Sequence, residues 1–253
     1  MFTECMEIAY NTSMSKQWLF LLSGATCFLF FVFFSYLVHK NLFTQFDFNT
    51  TVHLQDNLSR RFDNEFSLLS DIGKFEVSLV VVIILVGVLL WMRKFMGALC
   101  TFSLFGSFHL FELFGKYFVD HPPPPQFMLR TKQMIDFPQF HVRSEFSYPS
   151  GHAGRAAFLS IILITLILTN KQLPLWSKFV LCGGLVLYDI LMFISRPYLG
   201  EHWATDVIGG ALLGASFGLI TVAFIVGRGK FKKLLPAYKI QITKVTEDTK
   251  REH

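Results

Sequence analysis

The run Trp18–Val38, WLFLLSGATCFLFFVFFSYLV, contains no charged residue. As a helix it is long enough to cross the roughly 30 Å hydrocarbon core of a bilayer. It is too long for the apolar core of a secretory signal and lacks a small-residue cleavage site. It therefore reads as a retained span. Five more apolar segments follow it: Val77–Met92, Phe95–Phe114, Ala153–Leu168, Phe179–Ile194 and Ala204–Val226. The fourth and fifth of the six fall short of the about 20 residues a spanning helix needs, but helix-compatible sequence flanks both. No stretch shows the repeated strand alternation of a membrane barrel, which leaves helices as the spanning element. The expected fold is all-α: a multi-pass bundle of six transmembrane helices in one membrane-embedded domain over residues 1–253. Its core covers about 46–226, and a polar tail follows over 228–253.

Composition agrees with that reading. Of 253 residues, 52% are hydrophobic, 30 are phenylalanine and 16% are charged, against about 25% charged in a soluble domain. The net charge of +5 is not gathered into a basic, aromatic-interleaved groove, so no nucleic-acid partner is expected. The four cysteines, Cys5, Cys27, Cys100 and Cys182, form no close pair. They read as buried free thiols rather than a disulfide framework or metal site.

The short loops set an orientation. Lys16, Arg93, Lys94, Lys171, Lys178, Arg228, Lys230, Lys232 and Lys233 all fall on one side of a six-span chain. By the positive-inside rule that side is cytoplasmic and holds both termini. The loops over residues 40–76, 117–152 and 196–203 then face outward. The first is either an interfacial helix or a plain solvated connector. The second opens with Pro122-Pro123-Pro124-Pro125, a stiff, extended exit from the third span.

Four polar clusters meet at that outer face: Glu112-x3-Lys116, Tyr148-Pro149-Ser150-Gly151-His152, Ser195-Arg196 and His202-x3-Asp206. A spacing of four places His202 and Asp206 on one helical face. There the carboxylate can fix the ring tautomer and leave the second nitrogen as a nucleophile. A structural His–Asp pair has the same spacing. The Ser150-Gly151 turn offers backbone N–H groups and a hydroxyl to an anion at a helix start. His152 stands where a general acid would be needed, and an ordinary capped helix reads the same. Lys116 and Arg196 can hold phosphate oxygens or simply snorkel to the interface. The small residues Gly210, Gly214 and Gly218 point to close helix packing. Asp189 is placed to orient Arg196 or to pair elsewhere in the bundle, and Glu112 to hold Lys116. His109, His121 and His141 match no pattern and read as structural or loop residues.

Together these clusters resemble the type-2 phosphatidic acid phosphatase superfamily, which includes lipid phosphate phosphatases and vanadium-dependent haloperoxidases. Its pattern is Lys-x6-Arg-Pro, then Pro-Ser-Gly-His, then Ser-Arg-x5-His-x3-Asp. The chain holds Pro149-Ser150-Gly151-His152 and Ser195-Arg196-x5-His202-x3-Asp206 in full. The first motif departs: Lys116 and Pro124 match, but Pro123 stands where the arginine belongs. Arg155, one turn beyond His152, is the favoured replacement. Arg130 and Arg143 are the alternatives, and so is no replacement at all.

The resemblance implies a lipid phosphatase in the cell (inner) membrane, acting on its extracytoplasmic face through a phosphohistidine. His202 would be the nucleophile, Asp206 its orienting carboxylate and His152 the general acid. Lys116, Ser150, Gly151, Arg196 and Arg155 would hold the phosphate, with no metal or other cofactor. Its partners would be a phosphorylated lipid and the bilayer. Phosphatidic acid, phosphatidylglycerol phosphate, polyprenyl diphosphate and lipid A phosphates all fit. A phosphotransferase, or a non-catalytic lipid-binding relative, would share most of these motifs. Oligomeric state is open.

Overall fold

A computed structural model describes residues 2–132 and 146–227, with side chains from Lys16 onward. Arg143, His141 and the basic tail from Arg228 lie outside the described residues, and the Cys5 side chain outside the described side chains. The described residues form eight α-helices: α1 Phe2–His39, α2 Thr44–Asn57, α3 Asp63–Ile72, α4 Phe75–Trp91, α5 Phe95–Phe118, α6 Gly151–Thr169, α7 Leu175–Tyr198 and α8 Ala204–Val226. No strand occurs among the described residues.

Among the described residues, five helices are long and apolar enough to cross a membrane: Lys16–His39 of α1, then α5, α6, α7 and α8. The expected span at Val77–Met92 is shorter than the others. It becomes a sixth crossing only as a broken one, Arg60–Ile72 joined to Phe75–Trp91 through a 48° bend. The bend falls at Gly73, where a Cβ would lie 2.6 Å from Met192 and 2.9 Å from the His152 ring. A larger residue there would have to displace the Met192 methyl and the His152 ring. The loop after α1, open between a connector and an interfacial helix, holds both α2 and α3.

Helix α8 is the centre of the bundle and packs against α1, α5 and α6. Its glycines do what their spacing predicts. Gly210 abuts the Ser150 carbonyl, and Gly214 abuts that of Gly154. These backbones touch because no side chain stands between them. On the α1 side, Ser216 donates to the Gly24 carbonyl at 2.9 Å. Phe108, Phe158, Leu213 and Val222 fill the interior, while Trp18, Phe30, Phe102 and Phe179 project outward. A water-facing surface could not carry so many large apolar side chains, whereas a bilayer solvates them.

The chain runs back and forth, so α5 and α7 end where α6 and α8 begin. The backbone bond from Ser150 N–H to the Asp206 carbonyl, 2.9 Å, ties two of those ends together. Arg93, Lys94 and Lys171 belong to the turns at the other end, and Lys178 to the start of α7 there.

Candidate active site

Helix α8 starts at Ala204, and Asp206 sits in its first turn. The Asp206 carboxylate accepts the Trp203 N–H at 2.9 Å, as acidic residues at helix starts commonly do. The same oxygen, Oδ2, faces His202 Nδ1 at 3.3 Å. Asp206 is fully buried, and His202 is partly open. One ring nitrogen is thereby committed to the carboxylate and the other, Nε2, is free for chemistry. The turn feeding His202 depends on Gly200, whose φ of +69° no larger residue adopts readily and whose Cβ would strike the Met128 carbonyl.

Ser150 and His152 stand beside this pair at the start of α6. Ser150 Oγ and His152 Nε2 are buried and have no hydrogen-bond partner in the protein. Buried polar atoms are rarely left so; Thr51 Oγ1, His109 Nε2 and Arg130 Nη1 share the condition, so what sets this place apart is the company of cations and of His202. Gly151 is confined here, since a Cβ would strike the Glu112 carboxylate and come within 2.7 Å of Arg155 Nη1.

Cations surround that place, and His152 lies within electrostatic range of Arg196, Arg155 and Lys116. Arg196 is fully buried. Its Nη1 donates to Ser70 Oγ at 2.8 Å and to Glu201 Oε2 at 2.5 Å. Its Nε and Nη2 donate to Ser195 Oγ at 3.1 and 2.9 Å. Glu112 gathers the other two cations, Lys116 Nζ at 3.6 Å and Arg155 Nη1 at 3.6 Å. It also binds His109 Nδ1 at 3.0 Å. Arg155 places Nε and Nη2 on the Gly73 carbonyl, both at 3.1 Å, an acceptor exposed by the break between α3 and α4.

The cluster therefore unites Lys116, Ser150, Gly151, His152, Arg155, Arg196, His202 and Asp206 at one end of the bundle. Arg130 Nη1 is also buried with no hydrogen-bond partner, and the other contacts of this residue are to residues outside the cluster. That guanidinium lies over the Tyr198 ring at 5.1 Å and donates to the Gln55 carbonyl at 3.0 Å, securing the loop. Asp189 does not orient Arg196 either; it accepts Ser160 Oγ at 2.8 Å. Ser70 and Glu201 hold Arg196 instead. Glu201 is adjacent to His202 in sequence and could have been found there, but nothing local marks Ser70. Among the described residues no group of three or more His, Cys, Asp or Glu is placed to hold a metal ion.

His121 proves to be part of the cluster rather than a bystander in the loop. Its Nδ1 lies 2.7 Å from Asp206 Oδ1, and its Nε2 lies 3.5 Å from Asp47 Oδ2. Burial opposes a charge on the ring, but the two carboxylates outweigh it and hold the imidazole pKa up at about 9.

The comparisons follow the same lines. The sequence profile of the PAP2 superfamily matches residues 78–230, more than half of the chain. Phosphatidylglycerophosphatase B of Bacillus subtilis is 28% identical over 151 residues, 58% of this chain and 66% of that protein. An undecaprenyl-diphosphatase of Sulfolobus acidocaldarius is 37% identical over 91 residues, 36% of this chain and 39% of that protein. The chain thus matches less than two thirds of the length of either relative. Among solved structures, a transmembrane PAP2-type phosphatidylglycerolphosphate phosphatase from Bacillus subtilis superposes with a TM-score of 0.64 at 23% identity, over 79% of this chain and 94% of that one. Aquifex aeolicus LpxE superposes with a TM-score of 0.51 at 21% identity, over 70% and 94%. With the profile match spanning α4 to α8 and the fold shared, the chain belongs to the PAP2 superfamily.

Proposed function

We propose that this chain is a membrane lipid phosphatase that hydrolyses a phosphomonoester or diphosphate through a phosphohistidine at His202. The observation that carries the reading is the pairing of two buried, unpartnered polar atoms, Ser150 Oγ and His152 Nε2, with a carboxylate-backed His202. The names of the two curated relatives, a phosphatidylglycerophosphatase and an undecaprenyl-diphosphatase, favour a phosphorylated lipid.

In the first step His202 Nε2 attacks phosphorus in line, and the P–N bond forms as the P–O bond to the leaving group breaks. His152 gives its proton to the departing oxygen. Asp206 steadies the positive charge that develops on the His202 ring. Lys116, Arg196, Arg155, Ser150 Oγ and the Gly151 N–H stabilise the equatorial oxygens. In the second step His152 takes a proton from water, and the hydroxide formed displaces the phosphoryl group from His202. Charge neutralisation by guanidinium and ammonium groups serves in place of a metal ion, which is why we assign a metal-independent reaction. The basic turns at the far end of the bundle support a cytoplasmic location for that end and an extracytoplasmic one for the site.

The test is phosphate release by purified protein from a panel of phosphatidic acid, phosphatidylglycerol phosphate, undecaprenyl diphosphate and lipid A, with and without EDTA. Release from at least one lipid that persists in EDTA is expected, and vanadate should inhibit it. Activity lost in EDTA and restored by magnesium would overturn the metal-independent mechanism. No release from any lipid would favour the non-catalytic alternative, to which Pro123 gives its one argument. For orientation, a cysteine at Asp120 should react with an impermeant reagent outside intact cells and one at Arg93 should not.

A further inference from the structure

His121 has no part in the steps above, yet it is firmly held at the start of the loop after α5. Its carbonyl accepts the Ser147 N–H at 3.0 Å and Ser147 Oγ–H at 3.2 Å. The carbonyl of the next residue, Pro122, accepts Trp203 Nε1–H at 2.7 Å. Its ring is buried between Asp206 of α8 and Asp47 of α2. Asp47 is itself anchored beside Asp206, for it accepts the Thr205 N–H at 2.9 Å and Thr205 Oγ1–H at 2.7 Å. A continuous set of contacts therefore runs from α2 through the His121 ring to the carboxylate behind His202.

The chemistry of that geometry is constrained. A neutral imidazole has one N–H and one lone pair. Both nitrogens of His121 face carboxylates, so a neutral ring would point a lone pair at an anion. The doubly protonated ring satisfies both. With that ring charged, Asp47, His121 and Asp206 together carry one net negative charge. His202 becomes positive when its Nε2 bonds to phosphorus, and that single negative charge is its counterion. Without Asp47, His121 would cancel Asp206 and leave His202 with none. Without His121, Asp206 Oδ1 would be buried without a partner near a second carboxylate, a costly arrangement.

We propose that His121 is a positioning residue for the nucleophile: an imidazolium clamped between Asp47 and Asp206, it fixes the Asp206 carboxylate with Oδ2 toward His202, while Asp47 restores the negative charge that His121 would otherwise cancel. The proposal rests on the phosphohistidine reading above. It also bears on Pro123, because the chain has a buried cation two residues before the lost arginine, but one whose two nitrogens are taken. His121 therefore supports the nucleophile and does not replace the phosphate ligand.

The charged and titratable groups around the ring are Asp47 from α2, Asp206 and, beyond it, His202 from α8, and Tyr148 edge-on at 6.4 Å. Burial raises the Tyr148 hydroxyl well above its usual range, so it stays neutral. The neighbouring Asp120 lies 3.8 Å from His39 at the end of α1. The clamp is thus closed at neutral pH and opens as His121 loses its proton near pH 9.

The experiment is the pH dependence of kcat and KM for the full-length protein in detergent, using whichever lipid phosphate of the panel the wild type hydrolyses fastest. The wild type should lose kcat above about pH 9. Asp47→Asn keeps an acceptor for Thr205 but removes a charge, so its alkaline limb should move to lower pH. His121→Asn keeps an N–H toward Asp206 Oδ1 but cannot titrate. It should lose that limb and run roughly 10- to 100-fold slower in kcat, the scale for losing an outer partner of a functional histidine, with KM little changed. An unchanged limb in both variants, or full kcat in His121→Asn, would overturn the proposal. Nitrogen NMR of histidine-labelled wild type gives a reading that needs no turnover: the signal absent from His121→Asn should be that of an imidazolium at neutral pH. A neutral ring there would also overturn it. If the NMR signal is the imidazolium and no lipid is hydrolysed, the lipid phosphatase reading falls and the clamp stands.

Discussion

Asp206 and Glu112 are buried carboxylates at the same end of the bundle, and their company differs. Asp206 faces His202 and His121 and accepts a main-chain N–H. Glu112 faces two permanent cations, Lys116 and Arg155, and one histidine, His109. Counting Asp47 with its partner His121, the Asp206 side carries one net negative charge behind the nucleophile. The Glu112 side carries one net positive charge even with His109 neutral, and the paired Arg196 and Glu201 lie nearby. The division suits phosphoryl transfer: positive charge is needed around the oxygens and negative charge behind the attacking ring. On the proposed reading, one carboxylate orients the reacting group, and the other holds two cations in place with net positive charge to spare.

The sharpest way to break the comparison is to remove the reacting group on the Asp206 side. His202→Ala should reduce phosphate release to background while the protein inserts and purifies normally. Wild-type protein quenched during turnover should carry acid-labile, alkali-stable phosphate, and the variant should carry none. Turnover by the variant at a normal rate would move the nucleophile elsewhere.

The Glu112 side should show the next largest effect, through Arg155. Arg155→Ala should lower kcat/KM by about two orders of magnitude, or about 3 kcal/mol, the usual scale for losing one preorganised donor to a transition state. Arg155→Lys should recover only part, because a lysine cannot span the Gly73 carbonyl and Glu112 as a guanidinium does. If Arg155 acts for the arginine missing at Pro123, adding Pro123→Arg to Arg155→Ala should restore some activity. No recovery, together with an equal fall in thermal stability, would make Arg155 a structural tie between α6 and the α3–α4 break.

Glu112→Gln sharpens the comparison further. The change removes the anchor and leaves both cations, so we expect a loss in kcat/KM of roughly tenfold, smaller than that for Arg155→Ala, and felt mainly in KM. Breaking a buried pair by removing one partner is destabilising, so the melting temperature should fall as well. A fall in kcat with KM unchanged would mean that Glu112 acts in the chemical step and does more than hold cations.

The two sides were also unequally legible in the sequence. His202 lies just before α8 and Asp206 in its first turn, four positions apart, and Ser150 to His152 are consecutive, so local spacing pointed to both even though His202 is not itself helical. Apolar runs located the bundle for the same reason: one helix buries its own backbone, and its composition alone betrays it. The partners of those residues come from elsewhere in the chain. His121 meets Asp206 across 85 positions, and Asp47 meets Thr205 across 158. No periodicity encodes such contacts. Helix α2 was open for a related reason. Its sequence, TQFDFNTTVHLQDN, has no apolar stripe, and tertiary bonds hold it, from Asp47 to Thr205 and from Gln55 to the carbonyls of Met128 and Tyr198. Arg155 stood out as a charge in an apolar helix, but its acceptor at Gly73 depends on a 48° bend that a single glycine does not announce.

The smallest effect expected is one of stability, and it separates the two sides by pH alone. Burial opposes a charge on His121, but the Asp206 and Asp47 carboxylates outweigh it and raise the His121 pKa from an ordinary 6.5 to about 9. The folded protein therefore holds this proton more tightly than the unfolded chain does. Between those two pH values the folded state binds more protons, so stability falls as pH rises. The contribution is complete below pH 6.5, declines through the interval and is gone above pH 9. On the Glu112 side no described residue is an imidazole held between two carboxylates, so that side should add little slope. The onset of thermal unfolding in detergent should accordingly drop by a few degrees from neutral to alkaline pH in the wild type. His121→Asn should start lower and show a flatter dependence, because its side chain has no proton to lose. Glu112→Gln should also start lower yet keep the wild-type slope. A slope that survives in His121→Asn would assign the alkaline loss of stability to a group outside the Asp206 side.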